Sequence, residues 1–154
     1  MKEKQRPIVF FEGNVSPRQI FEVIGKNFYG DIVVNGSLAD TYSGEDTHTI
    51  ISTRGGSLYL VDGGIYLYNE VSIEADVFIE QDINADEPLT IHGSLYCFDD
   101  THAIEANTIY ISENLYMDYE TYMEVDRIII GGDFCLSINT NNFPADIGGK
   151  VVIE

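Results

Sequence analysis

The chain has 154 residues, 44% of them apolar, and a formal net charge of −18. That length suits one domain with a real core, and no stretch approaches the run of about 18 apolar residues needed to cross a bilayer. Two cysteines do not make a disulfide framework, and so acidic a surface repels nucleic acid and anionic lipid while attracting cations and basic proteins.

The N-terminal "MKEKQRPIVFFEG" is basic, then briefly apolar. It has no long hydrophobic region and no small-residue cleavage site, which predicts no signal peptide and a cytoplasmic protein of a bacterial or phage-infected cell. Residues 1–30 are predicted to form an N-terminal cap. "IVFFEG" reads as a strand and "SPRQIFEVIGKNF" as a helix, with Ser16 at the N-cap, Pro17 at the first helical position and Gln19 closing a capping box. Ile20, Phe21, Ile24 and Phe28 give that helix an apolar side.

Residues 31–154 follow another rule. In "VSIEADVFIEQDI" the apolar residues Val71, Ile73, Val77, Ile79 and Ile83 are spaced 2, 4, 2, 4. A half-buried strand alternates every 2 residues and a helix recurs every 3 or 4. Two inward residues followed by a gap of four make a short strand and a corner, and three such sides close a coil. A repeat of about nineteen residues then aligns in columns. The first runs Ile32, Ile51, Val71, Leu89, Ile109, Ile128, Val151. The second runs Val34, Thr53, Ile73, Ile91, Ile111, Ile130, Ile153. The third runs Leu38, Leu58, Val77, Leu95, Leu115, Phe134, and the fourth Leu60, Ile79, Cys97, Met117, Leu136. A third side carries Ile65 and Leu67, Ile83 and Ala85, Ile104 and Ala106, Met123 and Val125. The expected fold is all-β, a triangular single-chain parallel β-helix (β-solenoid) of about six coils, forming a single domain with its cap.

The corners between the first two sides read "NGS" at 35–37, "GGS" at 55–57, "EAD" at 74–76, "HGS" at 92–94, "SEN" at 112–114 and "GGD" at 131–133. Their last residue is always short and polar, suited to bonding backbone where the chain turns. The outward residues after the third column are Ala39, Tyr59, Phe78, Tyr96, Tyr116 and Cys135. Stacking would bring Tyr59, Phe78, Tyr96 and Tyr116 into an external aromatic ladder. "GGKVVIE" starts a further coil, and that uncapped end is expected to take a partner or a second copy, giving a homodimer.

On "DIVVNGSL", "LTIHGSLY" and "RIIIGGDF" the chain resembles parallel β-helix proteins and is most similar to the bactofilin type, bacterial scaffolds whose triangular coils polymerise end to end. The resemblance, in spacing and corner glycines, implies a self-assembling scaffold as the alternative function. The chain departs from that type in its N-terminal strand and helix and in its aromatic, acidic exterior.

Enzyme readings fare less well. Hexapeptide acyltransferases usually place a small residue after each inward aliphatic and a catalytic His at a trimer interface. Here Ser72, Phe78 and Asn84 follow Val71, Val77 and Ile83, and His48, His92 and His102 share no column. A carbohydrate-active β-helix enzyme, the third reading, would use carboxylate pairs such as Asp99/Asp100 or Asp86/Glu87 as acid and base. With this many acids such pairs arise without catalysis, and the loops are short. "FDDTH" and "ADEP" offer oxygen ligands for Ca²⁺ without an EF-hand loop. Cys97 and Cys135 fall about 10 Å apart, too far to bridge. No catalytic residue, metal or cofactor is expected.

The charge pattern is the strongest functional signal. Residues 1–30 hold five of the eight Lys and Arg, whereas residues 55–126 hold none and carry sixteen acids. Asp62, Glu80, Asp82, Asp99, Asp100, Asp118 and Glu120 are expected at the corner after the second side. Glu70, Asp86, Glu87, Glu105, Glu124 and Asp126 are expected at the corner after the third. The sixteen acids over about 19 Å of axis come to on the order of one per 1.2 Å, the same order as duplex DNA at about one per 1.7 Å. The expected function is a non-enzymatic acidic interaction protein. Its partner would be a basic, nucleic-acid-binding protein that it inhibits as a nucleic-acid mimic, in the manner of phage anti-defence (anti-CRISPR) proteins. The ladder would supply specificity.

Overall fold

The computed structural model of the protein describes residues 7–41, 48–98, 101–117, 121–136 and 150–153. It is a parallel β-solenoid of about six coils with one short helix. The strands are β1 (Ile8–Glu12), β2 (Asp31–Asn35), β3 (Leu38–Ala39), β4 (Thr49–Val61), β5 (Ile65–Leu67), β6 (Val71–Ile79), β7 (Ile83–Ala85) and β8 (Leu89–Ile91). They continue as β9 (Leu95–Cys97), β10 (Ala103–Ile111), β11 (Leu115–Met117), β12 (Tyr122–Ile130), β13 (Phe134–Leu136) and β14 (Lys150–Ile153). The helix is α1 (Pro17–Ile24). Strands β4, β6, β10 and β12 each bend through a corner and serve two faces.

From Val71 onward the expected columns hold. Val71, Leu89, Ile109 and Ile128 are register partners along the first face. Leu58, Val77, Leu95 and Leu115 align along the second, and Ile65, Ile83, Ile104 and Met123 along the third. All of these side chains are buried. Two inward residues per strand suffice because stacked neighbours, about 4.8 Å away, shield each from water.

The first coils depart from the expected alignment. Ile32 and Val34 lie on the second face, beside Leu58 and Leu60, and Leu38 pairs with Ile65 on the third. The "NGS" at 35–37 is therefore the corner between the second and third faces. Val33, not Ala39, is the outward neighbour of Tyr59, while Ala39 pairs with Tyr66. On the first face Ile51 pairs with Ile73 and Thr49 with Val71, two residues off the expected match. The discrepancy is absorbed at the next corner. Four residues, 53–56, separate Ser52 from Ser57, where Ala75 alone separates their partners Glu74 and Asp76.

The N-terminal strand joins the sheet. β1 pairs in parallel with β2, Val9 beside Ile32 and Phe11 beside Val34. The chain then reaches the third face at Val15, which bridges to Leu38. α1 follows where a first-face strand would run, and it packs on β4. Ser16 Oγ accepts from the Gln19 N–H at 3.1 Å and Gln19 Oε1 from the Ser16 N–H at 2.8 Å, the expected capping box. Ile20 is fully buried. The helix is shorter than its sequence pattern suggests because Gly25, at φ +70°, ends it, leaving Phe28 half-buried against the core from a non-helical segment.

The polar corner residues act between coils. Asp31 Oδ1 accepts from the Ser57 N–H at 2.9 Å, and Asp76 Oδ1 from the Ser94 N–H at 2.8 Å. Ser94 Oγ accepts from the Asn114 N–H at 3.1 Å, and Asn114 Oδ1 from the Asp133 N–H at 2.7 Å. At these four steps a turn presents an acceptor to a backbone donor in the next. Asp76→Ala should cost about 1–2 kcal/mol in urea unfolding, because it strands the Ser94 donor, and Asp76→Asn, which keeps an acceptor, should cost less.

Candidate acidic and aromatic surface

The outward residues of the second face form the ladder. Tyr59 stacks on Phe78 with centroids 4.7 Å apart, Phe78 on Tyr96 at 4.4 Å, and Tyr96 on Tyr116 at 4.6 Å. In-register parallel strands impose this spacing, which coincides with ring-stacking distance. Because the rings cover one another's faces, the surface presents their edges and hydroxyls. Val33 and Phe10 continue the stripe below Tyr59, and Cys135 continues it beyond Tyr116. Phe98 lies beside it, 6.2 Å from Phe78. The Asn114 side-chain amide donates to the Tyr116 hydroxyl at 2.9 Å, tying the ladder to the corner spine. Burial, and then the charge of Asp76, raises the Tyr96 phenol above its ordinary value. Tyr66, outward on the third face, is raised by burial and by the charge of Asp82.

The carboxylates are less evenly spread than their sequence positions suggest. Asp62, Glu80 and Asp82 occupy the corner between the second and third faces, as expected. Glu70, Asp86, Glu87 and Asp126 occupy the corner between the third and first. Glu105 and Glu124 do not belong to that corner. They stand mid-strand on the third face, outward, as direct register partners, because Ile104 and Ala106, and Met123 and Val125, take the inward positions around them. Asn84 precedes them in the same outward column. Asp99, Asp100, Asp118 and Glu120 lie outside the described residues. The third face with its two bordering ridges thus carries most of the described carboxylates of residues 55–126. Glu74, Asp76 and Glu113 lie at the corner between the first and second faces, and the aromatic ladder adjoins the third face across one ridge.

Some of these acids hold the fold. Asp82 Oδ1 accepts from the backbone N–H groups of His102 at 2.8 Å and Ala103 at 3.0 Å, which anchors the start of β10. Glu70 lies 3.4 Å from His48, and Glu124 accepts from the Tyr122 hydroxyl at 3.1 Å. Asp62 sits at φ +52°, unusual for a residue with a side chain. Asp86, Glu87, Glu105 and Asp126 are exposed. No Lys or Arg occurs between Gly55 and Asp126, and Arg127 is the first cation after the run.

Among the described residues no three His, Cys, Asp or Glu side chains converge closely enough for a metal ion, and no helix is long and apolar enough to cross a membrane. Both cysteines are free thiols, Cys97 buried and Cys135 partly exposed. Compared with protein-family models, curated proteins and solved structures, the chain matches none.

Burial pushes the Cys97 thiol far above its ordinary value. The unfolded chain therefore loses that proton first, so the thiol's contribution to stability is intact below the ordinary thiol range and falls as pH rises through and beyond it. Denaturant unfolding between pH 8 and 10 should show the native protein losing stability more steeply than Cys97→Val, by up to about 1.4 kcal/mol per pH unit.

Proposed function

We propose that the protein is a non-enzymatic binding module whose third face and flanking ridges dock on the basic surface of a nucleic-acid-handling protein, in place of the nucleic acid. The observation that carries this reading is the gathering of Glu105, Glu124, Asp86, Glu87 and Asp126 on one side of a rigid rod, in a stretch without a single Lys or Arg. The in-register partners Glu105 and Glu124 repel one another across one coil step. A surface selected only for solubility could interleave lysines at no cost to the fold, and this one does not.

The rod form supports the reading. Glu105 and Glu124 stand one coil spacing apart on the third face, with Asp86, Glu87 and Asp126 along the adjoining ridge, so one side of the rod presents clustered negative charge to a groove lined with Arg and Lys. Such a field accelerates encounter with a cationic partner and loses reach as salt shortens the Debye length. The ladder, one ridge away, adds rigid apolar edges and hydroxyls at little entropic cost, the kind of surface that fixes register once encounter has occurred.

Partners captured from a lysate at low salt should be basic, and duplex DNA should compete for them. Affinity for such a partner should fall steeply between roughly 50 and 200 mM salt. The combined Asp86→Asn, Glu87→Gln, Glu105→Gln and Glu124→Gln variant should bind about ten- to a hundredfold more weakly at low salt, with a flatter salt dependence. An affinity indifferent to both salt and these substitutions would overturn the reading.

A further inference from the structure

Three of the five described Lys and Arg residues gather in one place. Arg18, Lys26 and Arg54 line a single open cleft of about 1250 Å³ on the outer side of the first face. α1 and its exit form one wall, and the extended corner at 53–56 forms the end. Glu74 and Asp76 line the cleft one coil from that corner, and Glu113 lines its far end, two coils further on. Phe21 on the helix wall and the exposed Ile50 on the first face supply its apolar lining.

The corner that carries Arg54 is a built feature. It holds three residues more than its stacked neighbour, and Arg54 takes a left-handed backbone at φ +50°. Gly55 follows at φ +92°. Gly56 packs so closely that a Cβ there would clash with the Gly30 carbonyl oxygen. The Arg54 guanidinium donates to Asn27 Oδ1 at 2.8 Å, which orients it from the helix side. A bulge that bends the strand and holds an arginine in a sparsely populated conformation matches how chains re-aim a side chain at a ligand site. Arg18 also pairs with Glu22 on its own helix at 3.4 Å, both side chains largely exposed.

The cleft's length follows from the rungs. Ser52 pairs with Glu74. His92 follows in the next coil, its N–H bonded to Ile73 O, and Glu113 in the one after, its N–H bonded to Gly93 O. Three steps span about 14 Å, the reach of four or five extended residues. The opposed ends disfavour a polyanion, because Glu74 stands only one coil from the rung of Ser52.

We propose that this cleft binds an extended peptide segment of four or five residues, its carboxylate end against Arg18, Lys26 and Arg54 and its cationic end against Glu113. Apolar residues between would lie on Phe21 and Ile50. This site is on a different face from the acidic docking surface and operates independently of it.

The test is calorimetric titration of the full chain with end-blocked pentapeptides carrying Glu at one end, Lys at the other and apolar residues between, in both chain directions. Peptides with Gln at both ends, and inorganic phosphate, serve as comparisons. A charged peptide should bind roughly tenfold more tightly than its Gln-ended counterpart, the scale of one charge-assisted contact. Arg54→Gln and Glu113→Gln should each weaken it about fivefold or more, and the third-face neutralisations should leave it unchanged. NMR shifts should fall on Ile50 and His92. Because Arg54 also tethers Asn27, Glu113→Gln, three coils from that bulge, keeps the test valid if Arg54→Gln lowers the melting temperature. No saturation at millimolar peptide would overturn the proposal, as would phosphate binding as well as the peptide with no effect of Glu113→Gln.

Discussion

Parallel strands in register place the same backbone position of successive coils about 4.8 Å apart, and every column in this molecule inherits that spacing. An inward column must be apolar throughout, since each member is the neighbour of the next, which is why Val71, Leu89, Ile109 and Ile128 are all aliphatic. An outward aromatic column is brought to stacking distance without further design, as Tyr59, Phe78, Tyr96 and Tyr116 show. A corner column of short polar residues becomes a chain of acceptors for the donors of the next turn. The same spacing makes an outward column of carboxylates costly, and Glu105 beside Glu124 is such a column.

Surface chemistry in this fold is therefore arranged by faces rather than by single residues. The second face offers ring edges, the third offers negative charge, and the first, where a helix replaces a strand, offers a cleft between charges of opposite sign. Acids with a backbone partner, such as Asp76 and Asp82, serve the corners, and exposed ones such as Asp86 and Glu87 define the electrostatic surface. The distinction depends on which carboxylate faces an N–H of the next coil, and charge counting is blind to it.

Much of the fold was legible because it repeats. The 2-and-4 spacing, the short polar corner residues, the capping box at Ser16 and the ladder all follow from the letters alone. Coil register was lost between Ile32 and Thr53, where a period of nineteen residues aligned Ile32 with Ile51 although Leu58 is its neighbour. Two local lengths defeat that period, the inserted segment before Thr49 and the enlarged corner at 53–56. Thr49 and Ile51 fit the inward pattern as well as Ile51 and Thr53 do, so the letters did not choose between them. Glu105 and Glu124 were grouped with a corner by nearness in sequence, although Ile104 and Ala106 already implied a mid-strand place for Glu105. The cleft was hidden because it needs α1 to lie along the first face, and nothing in "SPRQIFEVIGKNF" states which face its apolar side covers.

The enlarged corner and the helix have a consequence for how the chain finds its alignment. In a stack of near-identical rungs, displacement by one whole turn keeps every inward residue inward, so hydrophobic patterning cannot reject it. Eight helical residues span about 12 Å, close to the length of one strand side, so α1 fits that place without diverting the path that follows. No later segment could occupy its place, and no other corner could accommodate residues 53–56. These two irregularities act as an origin mark from which the remaining turns are numbered.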